Sequence, residues 1–229
     1  MGRETPLAVD HLRSRTGLDR DERQVKDAIL RMASLVETQI RSAIRAFLDR
    51  DPILAGDVVA GDARVNEAQR AVTEAVTMTI ATQQPVARDL RFLLALNRVA
   101  YELERIGDHA TSVAKQASRL ADAPPLAGAV EIGRMGSLAA DLVRGILEAL
   151  IDVDEARARA VAARDDEIDH LYREVFSRLV AAMRAEPEVV EPGTWVILAA
   201  HWIERIGDRV TNIAEDVVYL ASGRIEDLN

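Results

Sequence analysis

Leu103–Gln116 reads LERIGDHATSVAKQ and Ile203–Asp216 reads IERIGDRVTNIAED. These stretches agree at 7 of 14 positions at an offset of 100, far beyond what unrelated helices share. A second echo lies upstream of each. Arg31-Met32-x-Ser34-Leu35 returns as Arg134-Met135-x-Ser137-Leu138, and Asp49-x-Asp51 returns as Asp152-x-Asp154. Residues 31–51 and 134–154 agree at 8 of 21 positions, at an offset of 103. The chain is therefore an internal duplication, and a function carried by one half should have a counterpart in the other. The change between the two offsets fits a shorter hairpin in the second half.

Pro52, Pro85, the pair Pro124–Pro125, and Pro187 with Pro192 divide the chain at regular intervals. Between them apolar residues recur every three or four positions, the period of a helix with one buried face. This pattern predicts helices at about 20–50, 53–83, 86–121, 127–151, 155–185 and 192–222. Asp51 before Pro52 reads as an N-cap with proline at the first helical position. Gly223 reads as a C-cap. Turns this short force neighbouring helices to run antiparallel. The expected fold is all-α: two tandem three-helix bundles, at 20–122 and 126–223, after an N-terminal extension at 1–19. The double proline is the natural joint.

Composition agrees with that class. Of 229 residues, 48% are apolar but only 3% aromatic, which favours helix over sheet. The net charge of −9, from 38 acidic and 29 basic side chains, repels a phosphate backbone, so nucleic acid is not an expected partner. There is no cysteine, which excludes disulfides, thiolate metal sites and cysteine nucleophiles. A metal site would have to use oxygen ligands or one of four histidines. The N-terminal stretch is charged throughout and does not read as a signal peptide. Apolar runs such as Trp195–Ala200 are far below the roughly 20 residues of a membrane span, so no direct membrane insertion is expected. A cytoplasmic location is expected.

The repeated stretch places Glu104 four residues before Asp108, and Glu204 four before Asp208. Residues four apart share a helix face, with Cβ atoms about 5–6 Å apart, so two carboxylates there repel unless a cation joins them. The preceding helix of each half offers a matching pair, Asp62 with Asn66 and Asp165 with Asp169. Counted outward from the turns near Pro85 and Pro187, each pair stands level with the acids of the following helix. Each half can thus gather four oxygen-bearing side chains at one height. An all-oxygen set suits hard cations such as Mg²⁺, Ca²⁺, Mn²⁺ or iron. The alternative is a solvated acidic face paired with nearby arginines. On a helical wheel Glu204, Asp208, Thr211 and Glu215 fall together, opposite Ile206, Ile213, Val217 and Leu220, which predicts an acidic stripe facing away from the core. Asn66 brings one charge fewer, so the first site should hold a cation less tightly than the second. Arg105 and Arg205 are placed either to neutralise the acids or to contact the facing helix. Gly107 and Gly207, mid-helix at a cost near 1 kcal/mol each, predict close helix packing. His201 shares the flank of Glu204, whereas His109 and His170 point away from the ligands they adjoin. No catalytic constellation is present, and the chain is not expected to be an enzyme.

Taken together, QQPVARDLR at 83–91, ELERIGDHA at 102–110, DDEIDHLYRE at 165–174 and WIERIGDRVTNIAE at 202–215 resemble the PhoU family in composition and order over roughly residues 10–225. That resemblance implies two three-helix bundles related by a pseudo-twofold axis. It also implies surface metal clusters holding iron, zinc, magnesium or manganese ions, with ligands at Asp62, Asn66, Glu104, Asp108, Asp165, Asp169, Glu204 and Asp208. The implied role is negative regulation of phosphate uptake and phosphate-starvation signalling. In that role the protein is an adaptor between the ATPase subunit of a phosphate ABC transporter and a membrane sensor histidine kinase. It would act as a homodimer, reaching the inner membrane only through its partners. A metal buffer without signalling, a metal-dependent phosphohydrolase and a regulator of another phosphate permease are the rival readings.

Overall fold

A computed structural model of the chain describes residues 6–123, 126 and 128–228. It is all-helical among these residues: α1 (Pro6–Asp49), α2 (Pro52–Gln83), α3 (Ala87–Arg119), α4 (Ala129–Asp152), α5 (Glu155–Ala162), α6 (Asp165–Ala185) and α7 (Val190–Ser222), with a short 3-10 turn at Pro187–Val189. Two elements differ from the sequence expectation. Helix α1 begins at Pro6 rather than near residue 20. The expected fifth helix is broken at Ala163–Arg164 into α5 and α6. The break puts Asp165, Asp166 and Glu167 in the first turn of α6, where the positive end of the helix dipole favours them. Pro124–Pro125, the expected joint, lies outside the described residues.

The duplication extends to the turns. Asp51 caps α2 by accepting from the Ile53 and Leu54 amides, at 2.9 and 3.0 Å. Its counterpart Asp154 caps α5 by accepting from the Arg157 amide at 3.0 Å. Each cap contributes about 1 kcal/mol. The residue before each, Arg50 and Val153, is left-handed, with φ of 54° and 52°. Gly223 ends α7 at φ 74°, as its position predicted.

Helix α3 packs on α1, α2 and α7, while α7 packs on α3, α4, α5 and α6. These two therefore form the centre. They run antiparallel, because Arg98 meets Asp216, Glu102 meets Arg209, and His109 meets Trp202. Helices α1 and α4 pair in the same sense, Glu37 with Arg144 and Arg41 with Asp141. Both pairs join a helix to its own repeat, which is the arrangement a pseudo-twofold axis produces. Ile106 and Ile206 lie near the centre of the α3–α7 crossing and are buried with Leu103 and Ile203. Burial of each such side chain contributes about 1.5–3 kcal/mol. No helix among the described residues is long and apolar enough to cross a membrane.

Candidate functional site

In the second half the four predicted oxygen ligands lie near enough to one another, on α6 and α7, for their charges to interact. Asp165 sits at the start of α6 with Oδ1 buried and without a hydrogen-bond partner. A Cβ at Gly207 would lie 1.9 Å from that oxygen, so glycine there is what lets the carboxylate enter. This is the close packing that the mid-helix glycine predicted. Burial, and then the charges of Asp169, Asp208 and Glu204, push the Asp165 carboxyl up to about 7. Burial also raises Glu204, with Asp208 and Asp169 adding to it and Arg205 opposing. Glu204 Oε2 is buried without a hydrogen bond, 3.4 Å from Nδ1 of His201. Arg205 takes Asp208 at 2.6 Å, and Arg173 takes Asp169 at 3.2 Å.

The first half brings its residues together differently. Asn66 Nδ2 donates to Asp62 Oδ2 at 3.2 Å. Glu104 and Asp108 sit near enough to Asp62 to feel its charge. Burial raises both first of all, with Asp108 next for Glu104 and Asp62 next for Asp108, while Arg105 opposes in each case. The two arginines after the glutamates thus act as neutralising groups. A Cβ at Gly107 would lie 3.0 Å from Gln39 Oε1 and 3.2 Å from Val65 Cγ1. Sequence reasoning missed Gln39 and Thr111. Gln39 donates to Asp62 and to Thr111, and Thr111 donates to Asp62.

The expectation of an outward acidic stripe needs correction. Glu104, Asp108, Glu204, Asp208 and Glu215 are half-buried, and Thr211 is only 1% exposed. The central helices are packed on several sides, which leaves a narrower exposed face than a wheel with one buried side assumes. Histidine placement agrees with the wheel. His170 turns to Glu174, and His109 stacks on Trp202 at 5.4 Å between centroids, both away from the acids.

Whether these residues suit a metal can be judged from the oxygens. Two buried carboxylate oxygens without hydrogen bonds, on Asp165 and Glu204, with Asp169 and Asp208 beside them, fit a hard cation. With side chains as they stand, no three His, Asp or Glu residues among those described converge with cation-holding geometry. In the second half Arg173 and Arg205 hold two of the carboxylates that would have to turn inward.

The fold and the site define a tandem helical-bundle protein with oxygen-lined helix hairpins at equivalent places in its two halves. The PhoU domain family matches residues 29–117 and 132–217. The chain belongs to the PhoU family. Among its relatives, a protein of Clostridium acetobutylicum named as a phosphate-specific transport system accessory protein PhoU homolog is 33% identical, over 91% of this chain and 96% of its own. A Pseudomonas aeruginosa protein of the same name is 35% identical over 87% and 83%. The crystal structure of PhoU from Pseudomonas aeruginosa superposes with a TM-score of 0.86 at 34% identity, covering 90% of this chain and 99% of that one. The phosphate transport system regulatory protein PhoU from Streptococcus pneumoniae gives 0.86 at 25% identity, over 92% and 99%.

Proposed function

We propose that the chain is a non-catalytic cytoplasmic regulator that restrains phosphate uptake and phosphate-starvation signalling. It is an adaptor between the ATPase subunit of a phosphate ABC transporter and a membrane sensor histidine kinase, and it works as a homodimer. The observation that carries this reading is the family match across both halves, together with relatives named as transport accessory proteins over nearly their whole length.

Asp165, Asp169, Glu204 and Asp208 are the residues that would hold a hard cation, with Asp62, Asn66, Glu104 and Asp108 as their first-half counterparts. A bound cation would neutralise the like charges that, after burial, raise Asp165 and Glu204. Arg173 and Arg205 would then be released toward solvent, which changes the charge shown to a partner.

The partner would dock on the exposed side of α3. Its exposed ridge carries Arg91, Leu94, Arg98, Tyr101 and Arg105, a seven-residue repeat that alternates basic and apolar side chains. Such a ridge suits an acidic, partly apolar helix. Deleting the gene should switch phosphate-starvation genes on in phosphate-rich medium, and the parent chain should restore repression. Arg91→Glu with Arg105→Glu should lose co-purification with the kinase or the ATPase subunit while remaining folded. A deletion strain that keeps those genes off would refute the regulatory role. A chain that retains metal but captures neither partner would favour a metal buffer.

A further inference from the structure

The two halves satisfy their second-helix aspartate in different ways. Asp62 accepts three side-chain hydrogen bonds: from Gln39 Nε2 at 3.1 Å, from Thr111 Oγ1 at 3.2 Å and from Asn66 Nδ2 at 3.2 Å. Gln39 also donates to the Thr111 hydroxyl at 2.8 Å, which orients that hydroxyl toward the carboxylate. Gln39 and Thr111 are nearly enclosed, 7% and 5% exposed.

The duplication identifies what replaces each donor in the second half. At the offset of 103, Leu142 stands for Gln39 and Asp169 for Asn66. Leu142 is 1% exposed and has no hydrogen to donate to an oxygen. Thr211, the counterpart of Thr111, turns its hydroxyl to the Gly207 carbonyl of its own helix, at 3.4 Å. None of the three donors that serve Asp62 serves Asp165: two are replaced and Thr211 is turned away, which leaves Asp165 Oδ1 buried and unpaired, whereas the buried unpaired atoms of the first-half cluster, Gln39 Oε1 and Asn66 Oδ1, are neutral amide oxygens. A buried carboxylate oxygen in that condition costs far more than one that is hydrogen-bonded.

We infer that the first half is closed by an internal amide strut, Gln39 with Asn66, that occupies the role a cation takes in the second half. The chain is thus a one-sided cation responder, with a permanently fastened α1–α2–α3 bundle and a switchable α6–α7 hairpin. This inference rests on the cation reading of the second half, but the strut can be tested without any metal.

Hydrogen–deuterium exchange on the full, metal-stripped chain, with and without millimolar Mn²⁺, separates the halves. Added Mn²⁺ should slow exchange in peptides covering 165–175 and 199–212 and leave those covering 58–70 and 100–112 unchanged. Gln39→Leu combined with Asn66→Asp gives the first half the second half's residues, and its 58–70 peptides should then respond to Mn²⁺ as well. Equal Mn²⁺ protection of both halves in the parent chain would overturn the inference, as would a silent first half in the double variant while the second half responds. If Mn²⁺ protects neither half of the parent chain, the cation reading fails and melting of the stripped protein decides the strut. Gln39→Leu alone should melt lower than the parent chain by at least about 2–4 °C, the shift that 1 kcal/mol produces in a domain of this size. An unchanged or higher melting temperature, with helical circular dichroism retained, would show that the amide contributes nothing there.

Discussion

Replacing Asp165 by asparagine should make the metal-stripped protein more stable, and the gain should depend on pH. In the folded chain this carboxyl titrates at about 7, pushed up by burial first and then by Asp169, Asp208 and Glu204. In the unfolded chain an aspartate titrates near 3.9. The folded state therefore binds more protons than the unfolded state between those values, and stability falls as pH rises through that window. About three pKa units correspond to roughly 4 kcal/mol at full weight. The group is only about half buried, so solvent screening reduces this to about 2 kcal/mol. The asparagine side chain has no charge to desolvate and keeps nearly the same shape. Urea or thermal melts of both proteins in chelator, at pH 4.5 and pH 8, read the difference directly. The variant should match the parent chain near pH 4.5 and melt about 4–8 °C higher at pH 8. A variant that is less stable at pH 8, or a difference that does not grow with pH, would refute the claim that this carboxylate is an uncompensated charge. The gain should also shrink when Mn²⁺ is present, because the parent chain then has a partner for its carboxylate.

Two further substitutions test the packing account with opposite signs. Gly136 lies at the α1–α4 crossing, where an added Cβ would meet Ile44 side-chain atoms at 2.3 and 2.4 Å. Gly136→Ala should therefore lose about 1–2 kcal/mol net, since overpacking outweighs the helix-propensity gain. Gly56, on the exposed face of α2, has nothing within 4 Å of a Cβ, so Gly56→Ala should gain up to about 1 kcal/mol. Gln84, the left-handed C-cap of α2 at φ 50°, is exposed. Gln84→Gly should add about 0.5–1 kcal/mol by relieving that strain. Differential scanning calorimetry of the purified variants measures all three, and a common sign for Gly136→Ala and Gly56→Ala would contradict the packing described here.

The duplicated helices are readable in the sequence because periodicity and proline punctuation are local signals. So are the Asp51 cap and the level placement of carboxylates on facing helices, which needs only counting from a turn. The break between α5 and α6 is not readable. It carries neither glycine nor proline, and what favours it is an acidic first turn at Asp165–Glu167. A wheel turns Thr211 outward because it assumes one buried side, whereas α7 packs against several helices. Gln39 gives no local signal at all, since it reaches partners 23 and 72 residues away along the chain. Comparison of the two repeats could have flagged it, because a glutamine and a leucine at equivalent core positions of a duplication are not interchangeable.

The interface between the halves shows how far the duplication has diverged from symmetry. The pseudo-twofold axis relates the contact of residues 109 and 202 to the contact of residues 209 and 102. One of these is a stack of His109 on Trp202, and the other is an ion pair of Arg209 with Glu102 at 3.4 Å, joined by Asn212. His109 is pushed down to about 4, by burial first and then by Arg209, Arg205 and Arg105, so it stays neutral at physiological pH and the stack is insensitive to salt. Its symmetry mate is an ion pair that salt weakens. Two copies of the first half would face His109 with Glu102, and two copies of the second would face Trp202 with Arg209, so neither reproduces both contacts. Specificity of this kind comes from pairs that fit only one partner. It ties α3 to α7 of the same chain, and it holds the strut of the first half and the open carboxylates of the second at fixed places around one axis.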